Sequence, residues 1–130
     1  MKQFMLLIRN GIDHQSSWSA ETTNDYLARC ESYINTLKAD GKLISAHPLL
    51  QEGTMLSGTR GRWTEKAISE TPEVIVGSYH VYANDVADAV RIAKANPEFD
   101  FGTTARVEVR PIREQEPKTG FVYPNREVRA

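Results

Sequence analysis

The sequence predicts an α+β domain with an antiparallel sheet and both helices on one face. Three observations carry that prediction. Phe4-Met5-Leu6-Leu7-Ile8 is an unbroken apolar run too short to form a helix of its own. Tyr26, Leu27, Cys30, Tyr33, Ile34 and Leu37 recur at three- and four-residue steps and so form one helical stripe. The segments then follow in the order strand, helix, strand, hairpin, strand, helix, strand, which is two split βαβ halves with extra hairpin material between them. That arrangement is ferredoxin-like.

Each element has a local cause. Residues 10–18 form a polar connection, and Ser19 caps the first helix with Glu21 in its first turn. Gly41 supplies the left-handed stop after Leu37. Leu43 to His47 reads as a second strand, ended by Pro48, which lacks a ladder donor. Thr54 to Ser57 and Arg62 to Thr64 flank Gly58-Thr59-Arg60-Gly61, a hairpin spacing. Residues 65–73, with mixed charge and Pro72, read as an irregular loop before the strand Val74 to Ala83. Asn84 or Asp85 caps a second helix whose apolar stripe is Val86, Ala89, Val90 and Ala93, and Asn96-Pro97 stops it. Ala105 to Ile112 is the last strand. The expected domain is 1–112, and 113–130 is expected to be a tail or arm with a short Phe121-Val122-Tyr123 island.

Side-chain alternation raises the question of what covers the second face of the sheet. With Phe4, Leu6, Ile8, Ile75, Tyr79, Val81 and Ala83 directed toward the helices, Met5, Leu7, Val76 and Tyr82 fall on the open face. Burying four such side chains is worth on the order of 6–10 kcal/mol before ordering costs. A symmetric homodimer is the expected cover; the competing arrangement folds the C-terminal arm back with Phe121 and Tyr123.

Composition narrows the function classes. Of 130 residues, 16 are Lys or Arg and 17 Asp or Glu, a net charge of −1 that gives no positive field for nucleic acid. The opening apolar run is too short for a signal h-region or a membrane span. Cys30 is the only cysteine, which excludes an intrachain disulfide and suits a reducing cytoplasm. Its place in the first helix's stripe makes it a core residue. The three histidines are far apart, and neither a metal-ligand spacing nor a glycine-rich phosphate loop is present, so neither a metal nor a cofactor is expected.

The segments together resemble the YCII-related family, in its DGPF subgroup. The likeness runs from about Met1 to Ile112 and rests on Phe4-Met5-Leu6-Leu7-Ile8, Leu37…Gly41-Lys42-Leu43-Ile44, Gly77-Ser78-Tyr79, Asp85…Asp88-Ala89-Val90…Ala93…Pro97 and Val107-Glu108-Val109-Arg110-Pro111. It implies a dimeric α+β barrel. The signature Asp-Gly-Pro-Phe is replaced here by Glu65-Lys66-Ala67-Ile68. In the family a histidine with an aspartate partner has been proposed as a proton-transfer pair, but the matching helix region of this chain carries Asn24 and Asp25.

The same alternation collects Arg9, His47, Ser78, His80, Tyr82, Arg106, Glu108 and Arg110 on the open face. His80 is the expected proton-transfer residue, because an imidazole titrates near working pH, with Ser78 and Tyr82 orienting a ligand. Arg9 and Arg110 are candidates to clamp an anion, or to pair with Glu108. His47, at a strand end, is a further candidate, and His14 beside Asp13 reads as solvated. The expected activity is binding of a small anionic or aromatic molecule in a cleft at the dimer seam, with histidine-mediated proton transfer. The other reading is a non-catalytic dimer that senses a ligand or holds a protein.

Overall fold

The computed structural model describes residues 1–125. The strands are β1 (Lys2–Gly11), β2 (Leu43–Pro48), β3 (Thr54–Thr59), β4 (Arg62–Ala67), β5 (Glu73–Ala83) and β6 (Arg106–Pro111), and the helices are α1 (Ala20–Ala39) and α2 (Val86–Lys94). Short 3₁₀ turns occupy Ile68–Glu70 and Pro97–Asp100. Four strands form one sheet in the order β2-β5-β1-β6, antiparallel throughout. This order is compatible with the ferredoxin-like plan. β3 and β4 form a separate two-stranded hairpin.

The helix caps follow the sequence. The Ser19 hydroxyl accepts from the Thr22 amide at 3.1 Å, and the Asp85 carboxylate accepts from Asp88 N at 2.8 Å. Both helices pack on one face of the sheet, where Tyr33 and Leu37 of α1 and Ala89, Ile92 and Ala93 of α2 meet Phe4, Leu6, Ile8, Tyr79, Val81 and Ala83. Phe4, Leu6 and Val81 are the largest fully buried side chains, each worth roughly 1.5–3 kcal/mol of burial. The Tyr33 hydroxyl donates to the Ile92 carbonyl at 2.7 Å and ties the two helices together.

Four expectations change. A β-bulge shifts the β1–β5 register, so that Ile8 faces Gly77 while Arg9 faces Ile75. The extra residue reverses the alternation. Val76 therefore packs with the helix-side core, and Ile75 lies beside Arg9 on the open face. The α2 stripe runs through Ala89, Ile92 and Ala93, whereas Val86, in the first turn, is half exposed. The hairpin strands are longer than predicted, pairing Thr54 with Ala67 and Thr59 with Arg62. The stretch 65–73 is accordingly ordered as the end of β4, a 3₁₀ turn and the start of β5.

After β6 the arm makes its own small loop. Gln115 bridges Val122, the Glu116 amide donates to the Phe121 carbonyl at 2.8 Å, and Asn125 Nδ2 donates to Gln3 Oε1 at 2.6 Å. Phe121 and Tyr123 are 57% and 39% exposed, and the arm meets the open face at Gln3, which is buried. The last part of the expected 113–130 arm, residues 126–130, lies outside the described residues.

Candidate functional site

The open face gathers the residues expected there, in rows across the four strands. Ser45, His80, Met5 and Arg110 form one row, and His47, Ser78, Leu7 and Glu108 the next. Tyr82 pairs with Gln3 at the end of β1. The arginines on this face are bound to carboxylates. Arg9 Nε donates to Glu108 Oε2 at 2.7 Å, Arg110 approaches Glu108 Oε1 at 3.2 Å, and Arg106 grips both oxygens of Glu73 at 2.8 and 2.5 Å. The guanidinium of Arg106 holds the Glu73 carboxyl below its ordinary range, and those of Arg9 and Arg110 do the same for Glu108. A His80 ring nitrogen bonds Gln3 Oε1 at 2.8 Å. His47 is exposed at the end of β2.

A second constellation lies on the opposite side, and sequence reasoning missed it. A cavity of about 250 Å³ opens between α1 and the sheet. Its walls are apolar at Ile8, Leu27, Ile34, Val76 and Tyr79, and polar where Tyr26, Cys30 and Glu98 converge. Pro97 at the first position of the 3₁₀ turn and Asn96 as its cap, accepting from the Glu98 amide at 2.8 Å, fix the backbone that carries Glu98. The Glu98 residue is only 3% exposed.

Three elements converge on this carboxylate. Asn10 of β1 donates to Oε1 at 2.8 Å, the Tyr26 hydroxyl of α1 donates to Oε2 at 2.5 Å, and His14 Nε2, from the loop before α1, lies 3.2 Å from Oε1. His14 is therefore not solvated as expected: its side chain is 7% exposed, and its ring stacks edge-on against Trp18 at 5.9 Å. Trp18 also packs on Tyr26 and Phe101, at 5.1 and 5.4 Å. These aromatics cover the outside of the carboxylate. Burial, then the bond to Glu98 and its charge, push the Tyr26 phenol far above its ordinary range. Burial likewise raises the Cys30 thiol, although its bond to Tyr26 works in the opposite sense.

The hydrogen-bond directions define the chemistry. His14 Nδ1 sits 2.8 Å from the Gly11 carbonyl, which can only accept, so Nδ1 carries a proton. Its Nε2 lies 3.2 Å from both Glu98 Oε1 and Gln15 Nε2. Tyr26, held protonated, donates to the other oxygen. His14, Glu98 and Tyr26 thus line up at the edge of an apolar cavity, flanked by Trp18 and Phe101. Such a convergence of buried titratable groups on a cavity is the ordinary signature of a small-molecule site.

The signal for this site was faint. A tryptophan within a polar loop and a glutamate straight after Asn-Pro were the only hints. Among the described residues no group of three or more His, Cys, Asp or Glu side chains could hold a metal ion. No helix among them is long and apolar enough to cross a membrane.

Fold and cavity together define a small α+β domain of split βαβ topology with one enclosed polar chain under its helices. The family model of the YCII-related domain matches residues 2–113, and the chain belongs to that family. No curated protein matches it.

Proposed function

We propose that this protein binds a small, mainly apolar molecule in the cavity between α1 and the sheet and exchanges a proton with it at Glu98. One observation carries the reading: a carboxylate buried to 3% exposure lines an apolar cavity of about 250 Å³ while bonded to a phenol and an amide, with an imidazole 3.2 Å away. Burying a charge is costly unless it is well partnered. The family resemblance leads one to expect a histidine–acid pair for proton transfer, and His14 with Glu98 supplies one from different positions.

The test is a survey of single-ring molecules by thermal shift and by amide chemical shifts of Tyr26, Cys30 and Glu98. A ligand at 100 times its Kd raises stability by about 2.7 kcal/mol. Leu27→Trp, placed at a half-exposed wall position, should abolish the response by filling the space. Exchange of ligand C–H protons with deuterated solvent, lost in Glu98→Gln, would establish proton transfer. If no ring compound perturbs those three amides, the reading fails.

A second reading concerns the open face, which carries the half-buried Met5, Leu7 and Ile75 beside a closed net of arginines and carboxylates. In this reading the face pairs with a second copy, as in the dimeric α+β barrel of the DGPF subgroup. His80, Ser78, Tyr82, His47, Arg9 and Arg110 would then serve that interface or a ligand held within it. Light scattering tests it directly: a clean monomer at micromolar concentration ends the dimer.

A further inference from the structure

The charges around the cavity bear on the class of molecule it takes. This step rests on the proposed function and goes beyond it. Of the twelve residues lining the cavity two are acids, Glu31 and Glu98, and none is Lys, Arg or His. The nearest base, His14, lies behind Glu98 and touches its Oε1. The arginines of the opposite face are taken up by Glu73 and Glu108. A carboxylate ligand would therefore enter an apolar space beside a buried anion with no cation to receive it. That combination is strongly unfavourable at low effective dielectric.

The hydrogen-bond inventory points the same way. A carboxylate offers about four acceptor positions. Glu98 accepts from Asn10 and Tyr26, with the His14 ring 3.2 Å from Oε1. The remaining positions are acceptors, and the adjoining Tyr26 hydroxyl already donates its hydrogen to Glu98. Apart from the Cys30 thiol and Asn96, the polar end of the cavity presents acceptors, and it calls for a donor. Its size sets the remainder of the ligand: a cavity of about 150 Å³ accommodates benzene, so about 250 Å³ holds one ring with a short substituent.

We infer that the cavity selects a small apolar amine in its ammonium form, the ring among Ile8, Leu27, Ile34 and Val76 and the cationic head on Glu98 and Tyr26. The ammonium supplies the missing donor and the compensating charge at once. A carboxylate of the same shape is excluded by the same groups.

Three probes of nearly equal shape test this: benzylamine, benzyl alcohol and benzoate, titrated against the full chain at neutral pH and followed by the amide shifts of Tyr26, Cys30 and Glu98. Benzylamine should bind at least about tenfold more tightly than benzoate, the difference expected from one charge-assisted hydrogen bond. Benzyl alcohol should fall between them. Glu98→Gln, which keeps the shape of the side chain, should remove the advantage of the amine over the alcohol. Should Glu98→Gln fail to fold, Leu27→Trp must abolish amine binding instead. Benzoate binding as tightly as benzylamine, or the alcohol binding more tightly than the amine, overturns the charge inference and leaves cavity binding intact. If none of the three perturbs the cavity amides, both the inference and the proposed function fall.

Discussion

The two faces of this sheet handle charge in opposite ways. On the open face, charges are numerous, partly hydrated and matched one against another: Arg9 and Arg110 on Glu108, Arg106 on Glu73. On the helix face the Glu98 carboxylate is buried, bonded to an amide and a phenol, with an imidazole 3.2 Å away. Networks of the first kind contribute little to stability individually. A group of the second kind costs desolvation and persists where the fold can enclose it completely. The contrast separates a face whose charges neutralise one another at the surface from one that encloses a single acid.

The largest difference between the faces should appear in core packing. Leu6 and Leu7 are neighbours in β1, one fully buried under the helices and the other half-buried on the open face. Leu6→Ala should cost about 2–5 kcal/mol by leaving a cavity. Leu7→Ala should cost clearly less at low protein concentration. Urea denaturation of both variants at two concentrations checks this, and a Leu7→Ala cost that grows with concentration would point to a partner on the open face.

Next in size is the removal of the buried acid. Glu98→Ala strands the Asn10 amide and the Tyr26 hydroxyl, and should cost about 1–3 kcal/mol for each group left unsatisfied. Gln in place of Glu98 should restore most of that stability while leaving proton exchange with a bound ligand abolished. Equal stabilities for the Ala and Gln variants would show that the carboxylate is dispensable to the fold.

Titration should divide the faces further. Glu73 and Glu108 have carboxyls held below their ordinary range by the arginines beside them. Depressed acids favour the folded state above their unfolded pKa, near ~4.3, and lose that contribution as pH falls through the folded value. The helix-side phenols behave oppositely. Burial pushes Tyr79 up to about 12 and raises Tyr26 and Tyr33 as well. Their contribution is complete below ~10, the unfolded phenol value, and is lost as pH rises toward 12 and beyond. Melting curves across pH should therefore weaken at both ends. Tyr79→Phe should flatten only the alkaline limb, and Glu108→Gln only the acid one; a variant that alters the other limb contradicts the assignment.

The readable parts of the molecule were those with a sustained period. β1, α1 and β6 follow from their apolar spacing, and Ser19 and Asp85 from cap chemistry. The face of Val76 was not readable, because one bulge residue opposite Ile8 inverts the alternation and nothing in Val74-Ile75-Val76-Gly77 announces it. The arginine–Glu108 pairing was open to expectation, since alternation alone places those residues on one face. The helix-side site was hidden for a different reason. Tyr26 and Glu98 are 72 residues apart, and His14 sits among polar neighbours that read as solvated. Only the closure of α1 and the 3₁₀ turn over β1 brings them together.

The smallest effect on global stability, and the most local, should come from Gly58. The hairpin lies outside the main sheet and all of its strand residues are exposed, so it contributes little to the core. A two-stranded hairpin alone is only marginally stable in water. Gly58 has φ of 116°, and an added Cβ would fall 2.0 Å from the Arg62 carbonyl oxygen, a backbone atom. Gly58→Ala must therefore distort the hairpin at its turn, where Arg60 lies over the Trp63 ring at 5.5 Å. Trp63 fluorescence and the amide signals of residues 54–67 should change, while the melting temperature of the main domain shifts by no more than about 2 °C, the size expected of a perturbation below about 0.5 kcal/mol. A larger loss would mean that the hairpin is tied to the rest of the molecule or to a second copy. A melting temperature that falls only at high protein concentration would single out the second copy.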